Sequence, residues 1–157
     1  MKIHLICIGK TDEAYLQAGI EKYQQRLRHY VPFRMTIIPD VKNAKHLSPA
    51  ALRQREAALI QKQLQPQDHL VLLDEQGDEF TSVGFAKYLE RTALQGVQQL
   101  VFVIGGAYGL DETLTAASRK RISLSKMTFS HQMVRLFFVE QLYRAFTIQR
   151  GEPYHHA

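Results

Sequence analysis

Residues 100–109 read Leu-Val-Phe-Val-Ile-Gly-Gly-Ala-Tyr-Gly: five apolar residues of strand length running straight into G-G-x-x-G. A buried strand that ends on closely spaced glycines delivers a tight turn with free backbone N–H groups, where the chain can approach a ligand closely. By itself such a turn is equally well explained by glycine's access to positive φ. The sequence departs from G-x-G-x-x-G, and it follows the fourth strand rather than the first, which disfavours a Rossmann dinucleotide site.

Working outward, strand-length apolar runs alternate with helix-length amphipathic stretches. Upstream, a helix spans about Ser82–Leu94 and closes at Gly96. It follows a third strand, His69–Leu73, and a turn-rich acidic loop, Asp74–Asp78. Ser48-Pro49 supplies the N-cap and first-turn proline of a helix to about Leu64, with Leu52, Leu59, Ile60 and Leu64 as its core stripe. Before it lie a polar, lysine-bearing loop (Pro39–Leu47) and a strand (Phe33–Ile38). Thr11 is an N-cap candidate for a helix to about Tyr30, with Tyr15, Leu16, Ile20, Tyr23 and Leu27 on one side, and Ile3–Ile8 is the first strand. Downstream come a short helix (about Asp111–Ser118), a fifth strand near Ile122–Leu124 and a helix capped by Ser130 that runs to about Gln149. This alternation predicts one α/β domain over residues 1–157 with a polar tail, Gly151–Ala157.

The last helix has apolar residues around nearly its whole circumference, among them Met133, Leu136, Phe137, Phe138, Leu142 and Phe146. A helix packed on one side of a monomer needs a stripe of only about 100°. The surplus predicts a homodimer through this helix, unless sheet and loops cover both of its faces.

Composition narrows the class. The chain has 157 residues, 45% hydrophobic and 22% charged, with 9 Gly, 5 Pro and one cysteine. Disordered, collagenous and coiled-coil classes are excluded by these proportions. Cys7 alone makes no disulfide and no multi-thiolate metal site, which suits a reducing cytoplasm, and in the first strand it reads as core rather than nucleophile. No apolar run has the length of a signal-peptide core or a membrane span, so no membrane association is expected. The net charge of +5 lies entirely in the last 45 residues, where seven Lys/Arg face two Asp/Glu. Arg119, Lys120, Arg121, Lys126, Arg135, Arg144 and Arg150, with His131, His155 and His156, form either a polyanion footprint or a solvated basic face.

Other motifs fall away. Gly9-Lys10-Thr11 resembles the end of a P-loop, but His4 stands where the first glycine must be. Asp74, Glu75, Asp78, Glu79, Asp111 and Glu112 occupy two strand-end loops and keep a metal-dependent nuclease in view, although turn formation and helix-start electrostatics explain them as well. G-x-S-x-G, H-E-x-x-H and C-x-x-C are absent. Pro153-Tyr154-His155-His156 combines a ring able to stack on a base with imidazoles that titrate near neutrality.

Taken in order, Leu73-Asp74, Gly105–Gly109, Ser123–Phe129 and His131-x-x-x-Arg135 form a series. It continues through Glu140-Gln141-x-Tyr143-Arg144-Ala145, Ile148 and Pro153-Tyr154-His155. The series closely resembles the ribosomal large subunit methyltransferase H family, the small single-domain SPOUT methyltransferases, over essentially the whole chain. The family often has Leu-Pro before the histidine that here follows Phe129-Ser130.

The resemblance implies a mostly parallel sheet with helices on both faces and a C-terminal trefoil knot within about residues 70–150. It also implies a homodimer that uses S-adenosylmethionine, without metal, to methylate N3 of a pseudouridine in 23S rRNA of the assembled ribosome. Leu73, Gly105, Leu124, Ser125, Lys126, Met127, Thr128 and Phe129 would line the cofactor pocket. Arg135, Arg144 and the tail would approach RNA, across the dimer interface. The imide N3 carries a proton at neutral pH, so a base or a water route must remove it. Candidates are His155, then His131, with Tyr154 as a stacking or orienting group and Arg144 as a phosphate or anion stabiliser. The rival expectations are a catalytically silent ribosome-binding factor and, more distantly, the nuclease.

Overall fold

The computed structural model describes residues 1–156. Its strands are β1 (Lys2–Ile8), β2 (Phe33–Ile38), β3 (His69–Glu79), β4 (Gln99–Ile104) and β5 (Lys120–Ser123). Its helices are α1 (Ala14–Leu27), α2 (Pro49–Gln61), α3 (Ser82–Leu94), α4 (Glu112–Ala117) and α5 (Met133–Gln149). The strands form one sheet in the order β2-β1-β4-β3-β5, each neighbouring pair parallel.

Successive side chains enter two separate cores, because a strand turns alternate residues to opposite faces. Ile3, Leu5, Cys7, Val71, Leu100, Phe102 and Ile104 meet α1, α3 and α5, whereas Ile6, Ile8, Leu70, Leu72, Val101 and Val103 meet α2 and α4. Strands buried on both faces read as unbroken apolar runs rather than alternating ones. Burial pushes the Cys7 thiol up to about 12, so it is an inert core residue.

Four expectations need correction. Thr11 does not cap α1, which begins at Ala14; its hydroxyl instead accepts a hydrogen bond (3.1 Å) from Arg135. Tyr15 is 61% exposed, because one helical residue turns it about 100° away from the buried line Leu16, Ile20, Leu27. On α2, the helix stops before Leu64, and Glu56 lies buried in the apolar stripe.

The acidic segment after Leu73 is not simply a turn. Leu73 and Asp78 both lie opposite Ile122, so residues 74–77 form a bulge and β3 then resumes beside β5. A Cβ on Gly77 would sit 2.6 Å from backbone atoms of Arg121 and Ile122, so only glycine admits this approach. The basic run on and after β5 is thereby set against the acids of β3. Lys120 pairs with Asp78 (2.6 Å), Arg121 with Asp74 (3.4 Å) and Lys126 with Glu79 (3.8 Å). Three cations expected in the polyanion footprint are neutralised within the chain.

α5 lies between α1 and α3. Phe138, Val139, Leu142 and Ala145 are buried, while Phe137 is 42% exposed and Met133, Arg144 and Ile148 are half-buried on the same helical stripe. The tail does not fray. Residues 153–155 form one 3-10 turn that folds back on α5; Ala157 of the expected tail lies outside the described residues.

Candidate active site

A cavity of about 940 Å³ opens at the carboxyl ends of β3, β4 and β5. Its floor is the glycine turn, closed by a hydrogen bond from Gly109 N–H to the Gly106 carbonyl (3.1 Å). The turn is packed from behind: a Cβ on Gly105 would lie 2.8 Å from the Gly109 oxygen, and one on Gly106 would lie 2.5 Å from the Glu56 carboxylate.

Leu73, Gly105, Leu124, Ser125, Met127, Thr128 and Phe129 all line the cavity. The loop after β5 is held by three hydrogen bonds. Ser123 Oγ donates to the Ser125 carbonyl (2.8 Å), Met127 N–H to Ser125 Oγ (2.9 Å) and Thr128 Oγ1 to Glu75 (3.0 Å). Lys126 is the exception among the expected lining residues, since its side chain points to solvent and toward Glu79. Phe129 leaves the loop to pack on Phe137 of α5, ring centroids 5.0 Å apart.

His131 also lines the cavity, and burial together with the Arg135 charge pushes its pKa below the usual value. At neutral pH it is therefore an uncharged imidazole with a lone pair to offer. Arg135 itself is fully buried. It donates to the carbonyls of Ile8 (2.6 Å), Gly9 (2.7 Å) and His131 (3.2 Å), tying the end of β1 to the start of α5. That burial overturns the expectation that Arg135 approaches RNA.

Arg144, Tyr154 and His155 are not in this cavity. Met133 and Arg144 are eleven helical residues apart, or about 16 Å along α5. There Arg144 donates to Glu140 (2.6 and 3.1 Å) and to His155 Nδ1 (3.2 Å), and the Tyr154 hydroxyl donates to the same Glu140 oxygen (2.9 Å). A guanidinium only donates, so Nδ1 accepts and the ring proton sits on Nε2. Burial and the hydrogen bonds to Tyr23 and Glu140 raise the Tyr154 pKa, so the phenol stays protonated.

The structure thus separates the expected site residues into two clusters at opposite ends of one helix. Sequence reasoning missed Glu56, whose Oε1 is buried without a partner and whose pKa is raised by burial and by Asp40. Its place midway between Leu52 and Ile60, on the apolar line of α2, was the available signal. Arg53, which lines the cavity, gave no such signal.

A pocket outside the carboxyl ends of parallel strands, floored by a glycine turn, is where open α/β proteins bind nucleotide-like ligands. Residues 1–155 match the family described as predicted SPOUT methyltransferase, and the chain belongs to that family. Relatives named ribosomal RNA large subunit methyltransferase H include those of Parabacteroides distasonis, 57% identical, and Flavobacterium johnsoniae, 54% identical. Each alignment covers 99% of this chain and 99% of the relative. A solved structure described as a probable methyltransferase from Bordetella pertussis Tohama I shares the fold, with a TM-score of 0.56 over 92% of this chain and 96% of that one at 10% identity.

Proposed function

We propose that this chain is an S-adenosylmethionine-dependent methyltransferase that modifies N3 of a pseudouridine in 23S rRNA of the assembled ribosome, in the cytoplasm, as a homodimer. The observation that carries the reading is the cavity at the glycine turn, lined by seven of the eight expected cofactor residues. Its donor set fits the group: Leu73, Leu124 and Met127 offer an apolar bed for the adenine, and backbone groups of the turn and loop meet its polar edge. No helix among the described residues is long and apolar enough to cross a membrane.

When bound, the cofactor supplies a methyl group that already carries its leaving group. The chain therefore holds the two reactants in line and removes the imide proton from N3. His155 is the proton acceptor in this reading, through the Nδ1 lone pair that Arg144 gives up when it turns to the imide anion, and His131, which lines the cavity, is the alternative. Tyr154 orients the base, and Arg144 stabilises the imide anion left when the proton departs.

These groups reach the cavity only if a second chain brings them. The half-buried stripe of α5 carries Met133 and Phe137 toward the cavity end and Arg144 toward the tail end. Antiparallel pairing of two such helices about a two-fold axis sets the tail of one chain against the cavity of the other. The knot belongs to the same reading: to pass from β4 to β5 the chain crosses β3, and the residues after β5 then return to form α5.

The test is calorimetric titration with S-adenosylmethionine, followed by nucleoside analysis of ribosomes incubated with protein and cofactor. Saturable binding and a new N3-methylpseudouridine are expected. Binding to ribosomes with no cofactor uptake would favour a silent ribosome factor instead.

A further inference from the structure

We propose that Arg26 and Arg150 form a clamp for the phosphodiester backbone of RNA, on a tyrosine row that leads to Arg144 and His155. The inference rests on RNA being the substrate, and it goes beyond that reading by naming where the strand flanking the target nucleotide is held.

Folding engages or buries five of the seven cations in the last 45 residues. Lys120, Arg121, Lys126 and Arg144 have carboxylate partners, and Arg135 is buried. What it adds comes from the end of α1 and the turn after it, where residues 22–30 carry Lys22, Arg26, Arg28 and His29 without one acid. The Arg26 guanidinium lies 5.5 Å from the ring centroids of both Tyr23 and Tyr143, and that of Arg150 lies 4.4 Å from Tyr30. Among the described residues neither has a carboxylate within 4.0 Å.

A guanidinium held over an aromatic ring keeps N–H groups free, and it has less side-chain freedom to lose when they meet an anion. Two oxygens of a phosphodiester match them bidentately. The two arginines belong to one surface: Tyr30 meets Tyr143 edge-on (5.8 Å), and Tyr143 meets Tyr154 likewise (4.7 Å). Glu152, the nearby acid, is engaged by the Tyr30 hydroxyl (2.6 Å). The row therefore presents two guanidiniums without an ion-pair partner among the described residues, against the one carboxylate of Glu152, beside the residues assigned to the reacting base.

The experiment measures binding of the full chain to purified ribosomes across a monovalent salt series, for wild type, R26Q/R150Q, R26K/R150K and a K62Q/K87Q control. Lys62, in the turn after α2, and Lys87, on α3, are both exposed. Loss of two phosphate contacts is expected to flatten the slope of log Kd against log salt by about 1.4 to 1.8 in R26Q/R150Q. R26K/R150K should keep most of the slope, and cofactor titration and solution mass should not change. An unflattened slope, an equal change in the control, or a loss that follows an altered mass would overturn the proposal. Wild-type protein that binds ribosomes but transfers no methyl group would sink the functional reading instead, and the salt slopes would still decide the clamp.

Discussion

Arg135 and Arg144 sit on the same helix nine residues apart, yet the fold uses them in opposite ways. At the cavity end, Arg135 is sealed from solvent and spends its N–H groups on three carbonyls and a hydroxyl, so its charge holds the β1–α1 junction and the backbone of His131 in place. At the tail end, Arg144 remains half-buried, paired with Glu140 and touching His155. One end of α5 is a rigid frame and the other a charged, hydrogen-bonded surface group. Net charge per segment sees two equal cations here; only the acceptors that surround each side chain separate structure from chemistry.

Five perturbations sharpen or break that contrast. The largest effect is expected from Gly105→Val, whose added atoms collide with the Gly109 carbonyl at the cavity floor. Cofactor affinity should fall on the order of 100-fold by calorimetry, about 3 kcal/mol. Next, Arg135→Met strands several buried carbonyls and should lower unfolding free energy by about 3 kcal/mol in urea titrations. Arg144→Ala should change stability by under about 1 kcal/mol, while lowering turnover on the order of 100-fold with cofactor binding intact. Equal destabilisation by the two substitutions would erase the distinction between the two ends.

A smaller effect comes from His4, buried in β1 and hydrogen-bonded to Thr36 (2.7 Å), where burial and Arg34 lower its pKa to about 4. The unfolded chain takes up this proton near pH 6.5 and the folded chain does not. Stability is therefore complete above pH 6.5 and declines as pH falls toward about 4, by on the order of 2 kcal/mol. Melting temperatures of His4→Gln should fall less steeply over that window than those of wild type. Smallest is Tyr154→Phe, which removes the donor to Glu140 and should loosen the tail by about 1 kcal/mol, read as faster amide exchange at residues 152–156.

Much of the fold was legible because parallel strands advertise themselves. Ile3–Ile8 and Leu100–Ile104 are mostly apolar runs, Phe33–Ile38 is a strand-length stretch interrupted by Arg34 and Thr36, each is bounded by Gly, Pro or polar residues, and the structure places strands over all three. The continuation of β3 was not legible, since Asp74, Gly77 and Asp78 are turn formers in isolation and become strand only when Lys120 and Arg121 lie alongside. Seven of the residues expected around the glycine turn and the loop after β5 meet in one cavity, because both segments act through local backbone shape. Lys126 was misread for the same reason: position in a loop does not say which way a side chain points. Arg135 was misread because a buried guanidinium satisfied by carbonyls leaves no partner in the sequence to find. The unpaired arginines on the tyrosine row depend on contacts between residues 26 and 143 and between 30 and 150, separations at which sequence pattern is silent.

In the proposed dimer, the cavity of one chain and the tail of the other make one working site. Mixing inactive Gly105→Val protein with inactive Arg144→Ala protein, under conditions that let subunits exchange, tests it directly. Random pairing leaves half the dimers mixed, each with one intact composite site, so turnover should return to about a quarter of wild type. A mixture as inactive as its two components would show that cavity and tail do not cooperate across chains.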